Sequence, residues 1–252
     1  MICIDFDSYE KSVPKILDKL NAGKIFCEQK NILIKPNIVT KDPFPITTHP
    51  KMCKALIEYI KKYSNANIVV GDGCGSPDYS TMDAFNDLGY KSVSDDYNVE
   101  LIDLNEVPLT KFENQNCMIY KELYLPEIIN THYIISMPVL KAHSFSIITG
   151  TMKNMMGFLP PAHYKGKFGI WNKAVFHNNV HESIIDLNNY VSPDLTVLDA
   201  SVGLQDFHLG GPTCNPHVKK LVAGFEAKLV DRKAAELLGF DWKQIKHLRD
   251  EN

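Results

Sequence analysis

The feature that most constrains the fold is a series of short, continuously apolar segments that alternate with helical patterns. Predicted strands lie at residues 31–36, 67–71, 99–103, 133–139 and 195–199. Predicted helices lie at about residues 50–63, 81–88, 146–158, 174–191 and 231–248. Strands that are apolar on both faces and separated by helices need crossover connections, which give parallel pairing. The sequence therefore predicts an α/β fold, with a mostly parallel sheet and helices on both faces.

The length of the chain limits the number of domains. The 252 residues, 44% of them hydrophobic, are enough for one sizeable core. We expect a single α/β domain over residues 1–252, with a lid or small lobe at about 159–176, where Pro, Gly, Lys and aromatic residues are frequent. In parallel sheets functional groups gather at the carboxyl ends of the strands, so the active crevice is expected there.

Charge and hydropathy exclude some classes of partner. The formal net charge is −3, whereas nucleic-acid-binding domains usually have a strong basic excess. No apolar stretch approaches the roughly 20 residues that cross a bilayer. The N-terminus turns acidic at Asp5, unlike a signal peptide. We therefore expect a cytoplasmic protein that binds neither nucleic acid nor membrane, and its oligomeric state is left open.

The six cysteines are scattered along the chain, with no CxxC motif or close pair. A zinc site or a ferredoxin-type cluster needs closely spaced thiolates, and a disulfide framework needs an oxidising compartment. The cysteines are therefore predicted to be reduced and mostly buried. An iron–sulfur cluster held by this chain alone is not expected.

Polar residues follow the first predicted strand. Lys35 ends a buried strand, where an unpaired lysine is costly and needs a partner, a shifted pKa or a ligand. Asn37 follows it, and Thr47, Thr48 and His49 precede the next helix. A helix N-terminus favours anions, so these residues are candidates for anion binding, with His49 also able to transfer a proton. The alternative is an ordinary helix cap at Thr48.

The second predicted strand ends in a glycine-rich loop at residues 71–76. Gly73 permits close approach of the backbone to a ligand. Asp72 could orient a lysine or histidine, or bind a cation; a structural turn is the alternative. The loop matches neither GxGxxG nor a P-loop, so it gives little support to nucleotide binding.

The fourth predicted strand runs into the most polar stretch of the chain. Lys141 and His143 alternate, so they face the same side of an extended chain. Thr149 and Lys153 are four residues apart and share one face of the predicted helix. Two further residues lie beside this face, Gly150 and Asn154. The apolar context indicates a pocket rather than a solvated surface.

His177 and His181 are spaced to lie on one face of a helix. Such a pair can bind a divalent metal, to which Asp72 would be a third ligand. Capping or surface roles are the alternative for the two histidines. The chain has no HExxH motif, so metalloprotease chemistry is not indicated.

Together these motifs resemble the domain of unknown function family three hundred and sixty-two. The likeness rests on Lys35-Pro36-Asn37, Thr47-Thr48-His49-Pro50, Gly71-Asp72-Gly73, Met137 to His143, Thr149-Gly150, Lys153 to Gly157, Asp231 and Ala234 to Gly239. The resemblance implies an iron–sulfur connection, since many members carry ferredoxin-type modules, and for this chain it implies a ferredoxin-type partner. The chain is also similar, more remotely, to the N-terminal domain of nickel-pincer lactate racemases. In that domain a histidine and a lysine contact the cofactor, and their spacing in sequence is that of His143 and Lys153.

The sequence thus predicts an enzyme whose pocket of lysine and histidine binds a small anionic substrate, or a metal or anionic cofactor. The candidate catalytic residues are His49, Lys141, His143 and Lys153. The candidate anion-binding residues are Lys35, Asn37, Thr47, Thr48, Gly73, Thr149, Gly150 and Asn154. The candidate metal ligands are Asp72, His177 and His181. The alternatives are a non-catalytic iron–sulfur or redox-partner protein and a small-molecule binding or sensor domain.

Overall fold

The computed structural model describes residues 1–164 and 173–250, in which strands and helices alternate along the chain. The strands are β1 (Ile2–Asp5), β2 (Asn31–Pro36), β3 (Asn67–Asp72), β4 (Glu100–Asp103), β5 (Leu109–Glu113), β6 (Glu122–Pro126), β7 (Tyr133–Met137), β8 (Val139–His143), β9 (Ile147–Thr149), β10 (Leu195–Leu204) and β11 (Lys220–Gly224). The α-helices are α1 (Tyr9–Lys19), α2 (Ala22–Phe26), α3 (Pro50–Tyr63), α4 (Thr81–Asp87), α5 (Tyr90–Tyr97), α6 (Thr151–Asn154), α7 (Pro161–Tyr164), α8 (Val180–Asn188) and α9 (Ala227–Leu237). Short 3-10 helices lie at Glu127–Asn130, Met155–Phe158, Ala174–His177, Trp242–Gln244 and Lys246–Leu248.

A nine-stranded sheet forms the centre of the fold. Its order is β1-β11-β10-β7-β2-β3-β4, with β8 beside β10 and β9 beside β8. The pairs β2–β3, β2–β7, β3–β4, β7–β10 and β8–β10 are parallel, whereas β11 is antiparallel to both of its neighbours and β9 to β8. Strands β5 and β6 form a separate antiparallel pair. The predicted mixed α/β architecture with a mostly parallel sheet is confirmed.

Helices cover both faces of the sheet. The side chains of each strand point alternately to one face and to the other, so each strand packs against helices on both sides. Ile32 and Ile34 of β2 lie in one buried cluster, with Leu56 of α3. Leu33, between them in sequence, lies in a second cluster with Ile184 of α8 and Val230 of α9. The continuous apolar pattern of the strands therefore reflects burial on both sides.

The predicted strand at residues 133–139 divides into two. Strand β7 pairs with β2 and ends at Met137, and β8 begins after Pro138 and pairs with β10 and β9. Pro138 has no N–H to donate, but its carbonyl accepts a hydrogen bond from Asp199 N at 2.9 Å. Lys141 and His143 consequently lie on a strand, within the sheet.

The predicted helix at residues 146–158 is wrong for its first half. Residues 147–149 form β9, α6 spans only Thr151–Asn154, and a 3-10 helix follows. Ser146 Oγ donates to Ile148 O at 2.8 Å, and Ile147 has a left-handed backbone with φ of 70°. Such local side-chain bonds and β-branched residues oppose a helix. Thr149 and Lys153 are therefore not on one helix, although both face the same cavity.

The polar segment at 159–176 is described only in part. Its first residues include α7, and its end includes the 3-10 helix at Ala174–His177. The centre of the predicted lid, residues 165–172, lies outside the described residues. The predicted helix at 174–191 is interrupted before α8 begins at Val180. In the described part of the chain, no helix is long and apolar enough to cross a membrane.

Candidate functional site

A cavity of about 360 Å³ lies against the sheet. Asn37 follows β2, Asp72 ends β3, and Lys141 and His143 belong to β8. The described residues that line it are Asn37, Ile38, Val39, Asp72, Gly73, Gly75, Lys141, His143, Ser144, Phe145, Thr149, Lys153, Asn154, Met156, Gly157, Lys173, Ala174, His177, Phe207, His208 and Leu209. The volume suits a small organic molecule.

The floor of the cavity contains a buried ion pair. Lys35 Nζ lies 2.6 Å from Asp72 Oδ1. Asp72 also accepts backbone N–H bonds from Ile38, at 2.6 Å, and from Gly73, at 2.8 Å. Both carboxylate oxygens are thus held by donors of the protein. Asp72 orients Lys35 and two backbone segments, and Lys35 is too deeply buried to touch a ligand.

Two asparagines connect this pair to Lys141. Asn154 Oδ1 accepts from Lys35 Nζ at 3.3 Å and from Asn37 Nδ2 at 3.2 Å. Asn37 Oδ1 in turn accepts from Lys141 Nζ at 2.6 Å. The Asn154 Nδ2 donates to Ser136 Oγ at 3.0 Å, so the amide is anchored on both sides. These contacts fix the side chains that lead from Asp72 to Lys141.

Lys141 is fully buried without a carboxylate at hydrogen-bonding distance among the described residues. Its Nζ donates to Asn37 Oδ1 and to Ile46 O, both at 2.6 Å. Burial, reinforced by repulsion from Lys153, lowers the pKa of Lys141 to about 7. A fraction of this amine is therefore unprotonated at neutral pH.

Among the described lysines that line the cavity, Lys153 has the fewest hydrogen-bond partners. Its Nζ makes no hydrogen bond or ion pair within the part of the chain that the structure describes. Although the side chain is partly accessible from the cavity, the surrounding protein removes most bulk water, and this desolvation lowers the pKa of Lys153 to about 8. The neighbouring Thr149 Oγ1 is buried and also lacks a hydrogen-bond partner among the described residues. An ammonium and a hydroxyl thus face the cavity with unused donors.

The position of Lys153 depends on a buried aspartate of α9. Asp231 Oδ1 accepts from Thr151 N at 2.6 Å, and Oδ2 accepts from Met152 N at 2.9 Å. The carboxylate thereby binds the free N–H groups that begin α6. Gly150 lies against this carboxylate, where a β-carbon would collide with it. Burial nevertheless raises the pKa of Asp231 to about 7.

Three histidines line one wall of the cavity. The rings of His143 and His208 stack with centroids 4.0 Å apart, and His177 lies 6.2 Å from His143. Burial, reinforced by repulsion from Lys153, lowers the pKa of His177 to about 4 and that of His208 to about 3. Burial and the same lysine lower the pKa of His143 far below its usual value. All three rings are neutral at physiological pH.

The tautomer of His143 follows from its hydrogen bonds. Its Nδ1 accepts backbone N–H bonds from Phe145 at 3.0 Å and Ser146 at 3.3 Å. The proton of the neutral ring is consequently on Nε2. His143 is therefore a hydrogen-bond donor, and its low pKa makes it a poor proton acceptor.

Several of the predicted site residues lie away from the cavity. His49 caps α3 by accepting from Lys51 N at 3.1 Å, and it faces a separate surface depression with Tyr9 and Phe44. Thr48 does not cap this helix: its Oγ1 donates to Met137 O at 2.6 Å and joins β7 to the loop after β2.

Thr47, Gly150 and His181 also have structural contacts. Thr47 Oγ1 donates to Asp42 O at 2.7 Å, and Gly150 packs on the Asp231 carboxylate. His181 Nδ1 lies 2.7 Å from His247 Nδ1, with stacked rings. None of the three is among the described residues that line the cavity.

The structure does not assemble the predicted metal ligands. Asp72 is bonded to Lys35, His177 lines the cavity, and His181 pairs with His247. Within the described residues, no group of three or more His, Cys, Asp or Glu side chains could hold a metal ion. These residues therefore supply no ligand set for a divalent metal or an iron–sulfur cluster.

Two titratable residues of the cavity were missed by sequence analysis. His208 follows β10 by four residues, in a loop without a motif. Lys173 is buried, and its Nζ donates to Gly73 O at 2.6 Å and Gly157 O at 3.1 Å. Lys173 is one of three lysines in the predicted lid, and no local pattern marks it as a buried residue.

Comparison with known proteins identifies the family. A family model described as a domain of unknown function (DUF362) matches residues 32–236. No protein of curated function gives a significant match, and the likeness to lactate racemases stays a prediction. The matched range begins within β2 and ends within α9, and it includes all described segments that line the cavity. The chain belongs to the DUF362 family.

Proposed function

We propose that the protein is an enzyme that binds a small anion in this cavity and exchanges a proton with it. The observation that carries the proposal is the Lys153 ammonium, which faces the cavity without a polar partner among the described residues. A largely desolvated charge without a partner is costly, so in this proposal a ligand completes the site by supplying negative charge. This proposal places the site in the crevice expected at the carboxyl ends of parallel strands, and it is supported by Asn37, Asp72 and His143, which follow or end β2, β3 and β8.

The groups around the cavity favour an anion over a cation. Lys141 and Lys153 contribute positive charge, and His143 Nε2 and Thr149 Oγ1 contribute hydrogen-bond donors. The carboxylate that reaches the cavity, Asp72, is already occupied by Lys35 and two N–H groups. A carboxylate or phosphate group would accept bonds from these donors and offset the repulsion between the lysines.

The lysines also support acid–base chemistry. Their pKa values of about 7 and about 8 mean that protonated and neutral amines coexist near neutral pH. Catalytic acids and bases work best with pKa values near the operating pH, and perturbed values concentrate at functional sites. In this proposal Lys153 transfers the proton, and Lys141, His143 and Thr149 hold the anionic group.

Calorimetric titration at constant ionic strength tests the anion site. Sulfate, phosphate and small carboxylates are the probes, and wild-type protein is compared with Lys153→Gln and Lys61→Gln. Lys61 is exposed at the end of α3, so Lys61→Gln is a matched surface control. We expect at least one anion to bind wild type and the control and to bind Lys153→Gln at least tenfold more weakly. Equal affinity of all three proteins would refute the anion site.

Proton transfer needs a separate measurement. Carboxylates that bind are incubated in D₂O with wild type or Lys153→Gln, and deuterium incorporation at carbon-bound hydrogens is followed by NMR. Exchange by wild type and not by the variant supports the enzyme. Tight binding without exchange for every bound carboxylate supports a non-catalytic binding domain instead.

A further inference from the structure

The rim of the cavity carries two exposed aromatic rings. Phe145 is 64% exposed and Phe207 is 43% exposed, and both line the cavity. Large apolar side chains that share one rim are informative, because exposed apolar patches often mark binding sites. Lys141 and Lys153 would bind the charged group of a ligand, but they do not explain why two aromatic rings lie at the rim.

Two separate loops hold the rings at the rim. Phe145 lies at the tip of the β8–β9 hairpin, where His143 pairs with Ile147 and His143 Nδ1 accepts the N–H of Phe145. Each of these contacts fixes the short turn. The backbone of Phe145 is therefore held in place by the hairpin.

Phe207 lies in the loop after β10, which closes on itself. Leu204 pairs with Thr213, and Phe207 O accepts from Gly211 N at 3.0 Å. A β-carbon on Gly211 would lie 2.7 Å from Phe207 N, so this close approach requires glycine. The loop is thus built to keep the backbone of Phe207 in place.

The two phenylalanines are connected by the histidine wall. The ring centroid of Phe207 lies 4.9 Å from that of His208, which stacks on His143, and Phe145 lies 6.1 Å from His143. Because the imidazoles are neutral, they offer flat surfaces without charge. Aromatic rings prefer such edge and offset contacts at these separations.

We propose that the natural ligand is a small anion with an aromatic substituent. This inference rests on the proposed function, because it assigns the anionic head to Lys153 and Thr149. The flat apolar part lies between Phe207, Phe145 and the His143–His208 stack. The class comprises aromatic carboxylates and aryl phosphates of a size that a cavity of about 360 Å³ accepts.

Matched pairs of probes test the aromatic part separately from the charge. Calorimetry at pH 7 compares acetate with benzoate and methyl phosphate with phenyl phosphate. Stacking and burial of one ring predict that the aromatic member of at least one pair binds about tenfold more tightly. In Phe207→Ala the ratio of the affinity for the aromatic member to that for the small member falls to about twofold or less. Binding of the small member is unchanged, which also shows that the variant is folded.

Phe225→Ala is the control, since Phe225 is 41% exposed and lies outside the described lining of the cavity. The ratios of aromatic to small-anion affinity in Phe225→Ala should equal those of wild type. If the small anions bind and neither aromatic member binds more tightly, the inference is wrong and the anion site stands. If Phe207→Ala keeps the full ratio, the aromatic site is also refuted. If none of the probes binds, the proposed function fails and this inference fails with it.

Discussion

Lys35 and Asp72 form an ion pair inside the protein, with Nζ 2.6 Å from Oδ1 and side-chain exposures of 0% and 4%. They come from the ends of neighbouring strands β2 and β3. Burial lowers the pKa of Lys35, and attraction to Asp72 opposes this shift. The pair therefore fixes the floor of the cavity, and each charge depends on the other.

Removing one charge of the Lys35–Asp72 pair should lower the free energy of unfolding far more than removing both charges. Asp72→Asn leaves the Lys35 ammonium buried without a counter-charge, so we expect a loss of about 3–5 kcal/mol in the free energy of unfolding. The double variant Lys35→Met/Asp72→Asn should recover part of that loss. Urea denaturation gives the values. As a control, Asp7→Asn breaks the exposed pair with Lys11 and should leave the free energy of unfolding nearly unchanged. A double variant as unstable as Asp72→Asn would show that the charge is not the cause.

Lys153→Met should stabilise the ligand-free protein and abolish anion binding. Methionine has a similar length and no charge to desolvate, so the free energy of unfolding should rise by about 1 kcal/mol or more. Thermal unfolding with and without sulfate measures both effects. Lys61→Met is the exposed control and should change neither the free energy of unfolding nor anion binding. A lower melting temperature for Lys153→Met would contradict the view that Lys153 is an uncompensated charge.

Anion affinity should fall as the pH rises above neutrality. Sulfate binds the protonated amines, so binding is strongest below the pKa values of the free lysines and weakens as Lys141 (about 7) and then Lys153 (about 8) lose their protons. Each proton required for binding gives a limiting slope of about tenfold per pH unit. Calorimetry between pH 6 and pH 9.5 tests this. The slope should be shallower in Lys153→Gln, and a flat profile for wild type would contradict the assignment.

Asp231 should make stability depend on pH. Its folded-state pKa of about 7 is raised from the usual 3.8, so its contribution is full below the unfolded value and is lost as the pH rises through the folded value. Asp231→Asn removes this titration and one of the two N–H acceptors. The variant should be less stable than wild type by about 1–3 kcal/mol, with a larger difference at pH 5 than at pH 8. Equal differences at both values in urea denaturation would show that Asp231 titrates outside this range.

Lys35 and Lys141 could be predicted from the sequence because each stands in an apolar context. Lys35 ends the segment NILIK, and Lys141 follows PVL. A long charged side chain in a buried strand needs a local reason, and the periodicity of a strand places Lys141 and His143 on one side. The alternation of strands and helices likewise predicted the sheet and the direction of β2, β3, β7 and β10.

Other parts of the site depend on contacts that no local pattern records. His208 reaches His143 through a loop closed by Leu204 and Thr213. The i, i+4 spacing of His177 and His181 suggested a shared ligand, but the 3-10 helix ends at His177 and His181 turns to His247. Thr149 and Lys153 converge on the cavity across a strand–helix junction, where the expected continuous helix does not form.

The two carbonyls that accept from Lys173 belong to Gly73 and Gly157. The chain between Gly157 and Lys173 therefore leaves from the rim of the cavity and returns to it, with both ends tied to the same floor. Doubling the length of a closed loop costs only about 0.6 kcal/mol. Insertions and deletions between these two anchors are thus expected to change the free energy of unfolding little, because Lys173 holds the carbonyls of Gly73 and Gly157 at both ends.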